Sequence, residues 1–384
     1  TVENSASSIF NRNENSVGLS VGHGGIIHIT DKTTIDRLAW ANDISSGEVG
    51  GILDLTHFDE NNSNKGDPIL TVHELHLDGP GYIFLDPTKY LDIENVGNAQ
   101  LGGSVLDYDD SVHKQVIIQA DHIVGENYRI HLVTRNEEGG FDENSHHTKN
   151  YDLFNSVTGQ KAAVATWGYN IAKEQIKENG ETQGDVYVGY SLNQLELLGH
   201  EKVDHALEIN LTQATDNILS ANIIGNGIIE IHGDKVLFSN YQNNFNGLVD
   251  VGSNLTFEAL TGALGQGGAA LLLGKNSTYK ILNQGTQKLN GLVLSHGSHI
   301  ELNAGSKLEL ALNTTYLPSG QSVVKNTTIG EGHLKGDGTL SLTEGTLLFS
   351  EASNLFNNFT GTLNVAQGAE MQFKSTGSFL LKKL

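Results

Sequence analysis

The chain has 384 residues, 45 of them glycine, 4 proline and none cysteine, and its 23 Lys and Arg face 45 Asp and Glu, a formal net charge of −22. That charge argues against nucleic acid or an anionic membrane surface as a partner, because both are gripped through neutralised phosphates. The missing cysteines exclude a disulfide scaffold and Cys-ligated zinc, and no run of about 18 apolar residues offers a membrane-spanning helix.

Residues 1–29 alternate, with Val17, Leu19 and Val21 followed by Ile27 and Ile29, and are read as the first strands. Thr33 with Asp36 has the form of a capping box, and Ile35, Leu38 and Ala39 share a helical face. The pattern predicts one or two helical turns covering the open end of a strand stack, so that 1–45 forms N-terminal strands and a cap. From 50 to 134 short apolar-alternating runs follow: Ile52 to Leu55, Ile69 to Leu77, Tyr82 to Leu85, Val116 to Ile118 and Tyr128 to Val133. The polar gaps between them, Asp59 to Asp67 and Asp107 to Asp110, are read as protruding loops. Residues 135–185 are the least regular part. They carry Gly139-Gly140, His146-His147 and a weak helical pattern through Val164, Trp167, Ile171 and Ile176, and read as an insertion projecting from a scaffold.

The organising phrase is a glycine and a small residue followed by alternation. It occurs at Gly252-Ser253-Asn254-Leu255-Thr256-Phe257, Gly297-Ser298-His299-Ile300-Glu301-Leu302, Gly305-Ser306-Lys307-Leu308-Glu309-Leu310 and Gly368-Ala369-Glu370-Met371-Gln372-Phe373. Each copy is a corner and then a half-buried strand. The step from 252 to 297 is 45 residues and that from 305 to 368 is 63, near two and three multiples of a unit of roughly 20–22 residues. The step of 8 from 297 to 305 fits one corner and strand inside a unit. About three short strands per turn describes an all-β, right-handed, three-sided parallel β-helix, a solenoid with protruding loops. It is expected to run as a single domain over 1–384, most regular over 199–373. The core of such a coil grows along an axis, which frees a chain of this length from the prior of two or three domains.

Over 199–373 the residues resemble a known family. Leu219-Ser220-Ala221-Asn222-Ile223-Ile224-Gly225-Asn226-Gly227 precedes Phe245-Asn246-Gly247-Leu248-Val249-Asp250-Val251-Gly252-Ser253. A second pass is Gly336-Asp337-Gly338-Thr339-Leu340-Ser341-Leu342, then Phe359-Thr360-Gly361-Thr362-Leu363-Asn364-Val365. The pattern resembles the passenger domains of Gram-negative autotransporters, above all AIDA-type adhesins. The resemblance implies a passenger exported through an outer-membrane barrel that lies outside this sequence, displayed at the bacterial cell surface or extracellularly. It also implies binding to host matrix proteins or glycans, or to other copies between cells. The sequence opens with no basic-then-apolar signal segment, so an exported protein is expected to be represented here by a processed piece.

Motifs that could carry chemistry have structural readings beside them. Gly18-Leu19-Ser20-Val21-Gly22 matches the G-x-S-x-G string of a nucleophile elbow, but no helix pattern follows, so Ser20 reads as a strand serine. His73 and His76 would point to opposite faces of a strand, which defeats joint metal binding. Asp107, Asp109 and Asp110 could hold calcium but read as a solvated acidic loop. The clustered Asn243, Asn244 and Asn246 read as corner caps. Trp167, Tyr169, Tyr187 and Tyr190 are either ligand contacts or the anchor of the insertion. Catalytic residues, metals and cofactors are expected to be absent. The candidate ligand-binding set is Lys65, Asp107, Asp109, Asp110, Arg129, Arg135, Asn136, His146, His147, Lys149, Trp167 and Tyr169. Its cations, with Lys89, would be needed against a sulfated glycan such as a glycosaminoglycan. The expected function is non-catalytic adhesion to host matrix proteins or glycans; self-association driving aggregation and biofilm, or a polysaccharide lyase or hydrolase on the same fold, are the alternatives.

Overall fold

A computed structural model of the chain describes residues 2–4, 18–22, 24–41, 50–58, 67–86, 115–125, 129–135, 137–143, 147–178, 181–199, 206–211, 217–312, 326–329, 334–350 and 358–374. Among them the protein is all-β, and its sheets are built mainly from parallel neighbours. The chain divides into two compact units. The first comprises Thr1–Asp92, Tyr108–Thr148 and Gly168–Tyr190; the second comprises Ile93–Asp107, Lys149–Trp167 and Ser191–Leu384.

In the second unit one sheet has the order Leu207–Asn210, Ile228–His232, Leu248–Val251, Ala270–Leu273, Gly291–Leu294, each strand parallel to the next. These strands begin at steps of 21, 20, 22 and 21 residues, the unit read from the sequence. Another parallel sheet interleaves with it along the chain: Ile218–Leu219, Lys235–Phe238, Thr256–Ala259, Thr278–Ile281, His299–Leu302, Leu334–Gly336. In-register stacking places like on like. Val236, Phe257, Tyr279, Ile300 and Leu334 form one buried column, where Phe257 meets Phe238 edge-on at 4.9 Å and stacks on Tyr279 at 5.4 Å. The Tyr279 hydroxyl is buried without a hydrogen-bond partner, and burial pushes its pKa up strongly.

The step of 8 residues carries the chain from the sheet of His299–Leu302 to that of Ser306–Ala311, whose neighbours are Gly285–Leu289 and Thr339–Glu344. Two details of the repeat differ from the sequence reading. Register pairs Thr256 with Thr278 and Thr278 with His299, so Asn254 rather than Gly252 is the equivalent of Gly297. The copy at 368 opens Glu370–Phe373, which stacks on Thr346–Phe349 in a separate sheet from Ser306–Ala311, so the 63-residue step does not join equivalent positions. Short phrases tolerate a two-residue slip because alternation survives it unchanged.

The Gly-x-Gly element has one role in both passes. At Gly225 and Gly336 φ is +90° and +92°. There the backbone bends so that two successive amides reach one carbonyl: Asn226 and Gly227 donate to Leu197, Asp337 and Gly338 to Leu302. A β-carbon at these glycines would lie 2.2 and 2.1 Å from the same carbonyl oxygens, so neither corner admits a side chain. Asn243, 2% exposed, satisfies another corner by accepting from the Ile223 amide at 2.7 Å and donating to the Ala263 carbonyl at 2.7 Å.

In the first unit, Val2–Asn4, Ile26–Ile29, Ile52–Asp54, Gly81–Phe84 and Ile130–Arg135 form a parallel sheet, closed by antiparallel Phe141–Glu143. A second set of parallel strands is Gly18–Gly22, Thr33–Ala41, Leu70–Leu77 and Gln115–Val124, with Gly184–Val188 antiparallel to Gln115–Ala120. The expected helical cap over 31–44 is a correction: Thr33–Ala41 is a strand. Its Ile35, Leu38, Ala39 and Trp40 are buried, and edge pairing on both sides outweighs the capping signal. The pattern read as helical at 162–177 is likewise a strand, Lys161–Glu178. The supposed loop-rich insertion is mostly strands, His147–Phe154, Lys161–Glu178 and Glu181–Leu197.

Candidate functional site

Sheets buried on one side ordinarily leave polar residues on the other. The first sheet of the first unit does so only in part, with His28, Asp54 and His131 set among apolar side chains. Ile27, Leu53, Ile83 and Leu132 are buried on one face. The opposite face gathers Ile52, Tyr82 and Val133 with the partly buried Ile26, Phe84 and Phe141. His131 stacks on Tyr82 at 5.6 Å, and Phe141 meets Phe84 edge-on at 5.1 Å. The Arg135 guanidinium lies over both phenyl rings, 4.7 Å from Phe141 and 5.5 Å from Phe84, and donates to the Gly139 carbonyl. Glu143 is 2.6 Å from His131 Nδ1. The antiparallel turn back from Ile130–Arg135 to Phe141–Glu143 makes this patch, since it sets Glu143 beside Val133 and Phe141 beside Arg135.

Burial raises the Tyr82 phenol, with the Glu143 carboxylate adding to it. Burial also lowers the His131 imidazole, against the pull of Glu143 and with the help of Arg129. At the rim, buried Asp54 accepts from the Thr56 amide at 2.9 Å and from its hydroxyl at 2.6 Å. His28 Nδ1 is 3.0 Å from Asp54 Oδ2 but off the hydrogen-bonding direction. Aromatic faces flanked by a guanidinium and a carboxylate suit sugar rings or peptide side chains, which bring apolar faces together with hydroxyls or amides.

A second patch corrects the reading of His73 and His76. Burial falls three residues apart at Ile35 and Leu38, at Val72 and Leu75, and at Ala120 and Ile123. Each of three paired strands therefore holds two successive residues out of the interior: Asp36-Arg37, His73-Glu74 and Asp121-His122. This aligned irregularity brings His73 and His76 to one face. His73 Nδ1 is 3.1 Å from Asp121, and its ring meets His122 edge-on at 4.9 Å. Arg37 donates to His76 Nδ1 at 3.2 Å, which leaves the ring proton on Nε2, 2.9 Å from Glu74. That hydrogen bond is the main reason the Glu74 carboxyl is held below its usual range. No group of three or more His, Cys, Asp or Glu among the described residues is arranged to hold a metal ion.

In the second unit a groove of about 580 Å3 is lined by His232, Gly233, Asp234, Asp250, Val251, Gly252, Ser253, Asn254 and Gly274. Glu230 pairs in register with Asp250 on the adjacent strand, and His232 Nε2 is 3.0 Å from Glu230 Oε1. Burial, then the Glu230 carboxylate, push Asp250 up to about 6, partly offset by His232.

Of the residues selected from sequence, Arg135 lies in the aromatic patch and Arg129 adjoins it. Lys149 is exposed over the Tyr151 ring at 5.4 Å, in the second unit. Trp167 is a correction: it is 1% exposed, a core residue with no surface to offer a ligand. Tyr187, also buried, likewise anchors its strand. Lys65, Lys89, Asp107, Asp109, Asp110, Asn136 and His146 lie outside the described residues, as do the side chains of His147, Tyr169 and Tyr190. Sequence reading passed over Tyr82, Phe84, Phe141 and Glu143; their one signal was an apolar run at 82–85 without polar alternation.

No protein-family model matches the sequence, and no solved structure matches it. The chain is similar to an uncharacterized lipoprotein, YdeK, of Escherichia coli (strain K12), with 24% identity over 302 residues, 78% of this chain. The match spans 20% of that protein's length.

Proposed function

We propose that the chain is a non-catalytic binding scaffold of the bacterial cell surface, an adhesin of the autotransporter-passenger kind that attaches to host matrix proteins or glycans. Its architecture in this reading is a three-sided parallel β-helix. Parallel strands that return to the same sheet after 20–22 residues support it, and such crossovers are right-handed almost without exception. Similarity to a protein named as a lipoprotein supports an envelope location. The observation that carries the binding role is the patch of Phe84, His131, Arg135, Phe141 and Glu143 packed over the buried Tyr82: an aromatic surface with fixed polar groups at its edge.

The test is a printed array of matrix proteins and glycans, probed with the purified chain and with the Arg135→Gln and Phe141→Ser variants, each checked for folding by circular dichroism. Retention of specific spots by the wild type, loss of about tenfold or more in both variants and no cleavage products are expected. Equal retention by wild type and variants would remove the patch from the function. Cleavage has one observation in its favour, the raised Asp250 beside Glu230 in an open groove, the pairing an acid–base hydrolase needs. Release of new reducing ends, lost in Asp250→Asn, would establish it in place of adhesion.

A further inference from the structure

The sheet of Leu207–Asn210, Ile228–His232, Leu248–Val251, Ala270–Leu273 and Gly291–Leu294 has an outward face unlike that of its neighbour. Its central outward column reads Glu208, Glu230, Asp250, Leu272, Val293 in register. All five are partly exposed. Three acids stand one above the next on adjacent strands, about 4.8 Å apart, and no Lys or Arg occurs in the five strands. Like charges directly paired across strands are unfavourable.

The interleaved sheet resolves the same difficulty by alternation. Its column reads Glu258, Lys280, Glu301, Lys335, with Lys280 3.1 Å from Glu301 and Lys235 3.0 Å from Glu258. Among the described residues the acidic column draws a hydroxyl and an imidazole: Ser156 donates to Glu208, and His232 lies beside Glu230. Alongside the column lies the groove, to which Asp250 and His232 also contribute.

We infer that this face docks an extended segment of another polypeptide whose alternate residues, which share one face, are basic at one end and apolar at the other. Its basic side chains meet Glu208, Glu230 and Asp250, and its apolar ones cover Leu272 and Val293. Charge complementarity selects that partner over a sulfated or uronate-bearing glycan, which the column repels. The inference is independent of the aromatic patch and stands or falls apart from it.

The probe is an acetylated, amidated Lys-Leu peptide, Lys-Ser-Lys-Ser-Lys-Ser-Leu-Ser-Leu, whose alternate residues present three Lys and then two Leu on one face, followed by fluorescence anisotropy against the full chain, with a Glu-Leu peptide (Glu for each Lys) and a Lys-Ser peptide (Ser for each Leu) as controls. The Lys-Leu peptide is expected to bind at least about tenfold tighter than either control. The Glu230→Gln/Asp250→Asn double variant should weaken it by about tenfold and Leu272→Ser by a few-fold, while Arg135→Gln leaves it unchanged. Affinity should rise between pH 5 and pH 7.5 as Asp250 ionises. Removing like charges does not endanger folding, and a melting temperature at pH 7 no lower than wild type confirms that. Equal binding of the Lys-Ser peptide, or indifference to the double variant, would overturn the inference, as would cleavage of a glycan in this groove.

Discussion

The two units solve the outer surface of a parallel sheet differently. In the first unit the sheet through Ile26–Ile29, Ile52–Asp54 and Gly81–Phe84 is apolar on one face and holds an apolar cluster among His28, Asp54 and His131 on the other, and Phe141, returning antiparallel at the sheet edge, packs against that cluster. In the second, the charged residues of outward columns are stabilised among themselves, as Glu258, Lys280 and Glu301 are, or left one-signed, as Glu208, Glu230 and Asp250 are. An outer apolar face is stable only with a cover, whereas an outer polar face needs only its charges arranged. The cover in the first unit also collects aromatic, cationic and anionic groups in one place, and the proposed binding role rests there.

Four changes would break or sharpen this contrast. The largest effect is expected inside the second unit. Phe257→Ala removes a ring at 0% exposure that stacks on Tyr279 and meets Phe238 edge-on and should cost about 3–5 kcal/mol in urea unfolding. Tyr82→Ala strikes the outer cluster of the first unit, where the ring is 7% exposed. A loss of about 2–3 kcal/mol is expected, with hydrogen exchange rising in Ile130–Arg135; exchange unchanged there would mean the cluster is surface decoration.

Asp250→Asn should act in the opposite direction. The Asp250 carboxyl is raised from 3.8 to about 6 in the folded chain, so the folded state binds its proton more tightly. Its contribution is full below the unfolded pKa and is lost as pH rises through the folded one, between about pH 4 and pH 6. The variant should therefore gain on the order of 1–2 kcal/mol at pH 7 and nothing at pH 4, read from denaturant midpoints at both values. The smallest change is Lys280→Met. Its ion pair with Glu301 is 30% exposed on each side, and a cost of about 0.5 kcal/mol or less is expected. A larger cost would show that the alternating column acts as a network.

The strands and their parallel repeat at 20–22 residues were legible because each leaves a local mark, alternation and an interval, whereas the corner role of Gly225 and Gly336, read as part of a strand, needed the backbone. The helical reading of Thr33–Ala41 and Lys161–Glu178 failed because three- and four-residue spacings also arise in a strand that steps out of phase, as between Ile35 and Leu38. The same step hid the meeting of His73 with His122 and the shared face of His73 and His76. A two-residue alternation rule places His73 and His76 on opposite faces, and only pairing with both neighbouring strands fixes the extra residue.

By itself the sequence determined that the chain would be strand-built, acidic, rich in glycine corners and periodic, since these are properties of neighbours along the chain. The tertiary structure alone decided which side chains share a face: Arg135 over Phe84 and Phe141, Glu143 against His131, and Glu208, Glu230 and Asp250 in one column. Those contacts join residues 6 to about 50 apart in sequence, and their register is set by hydrogen bonds between strands, which alternation along one strand does not encode.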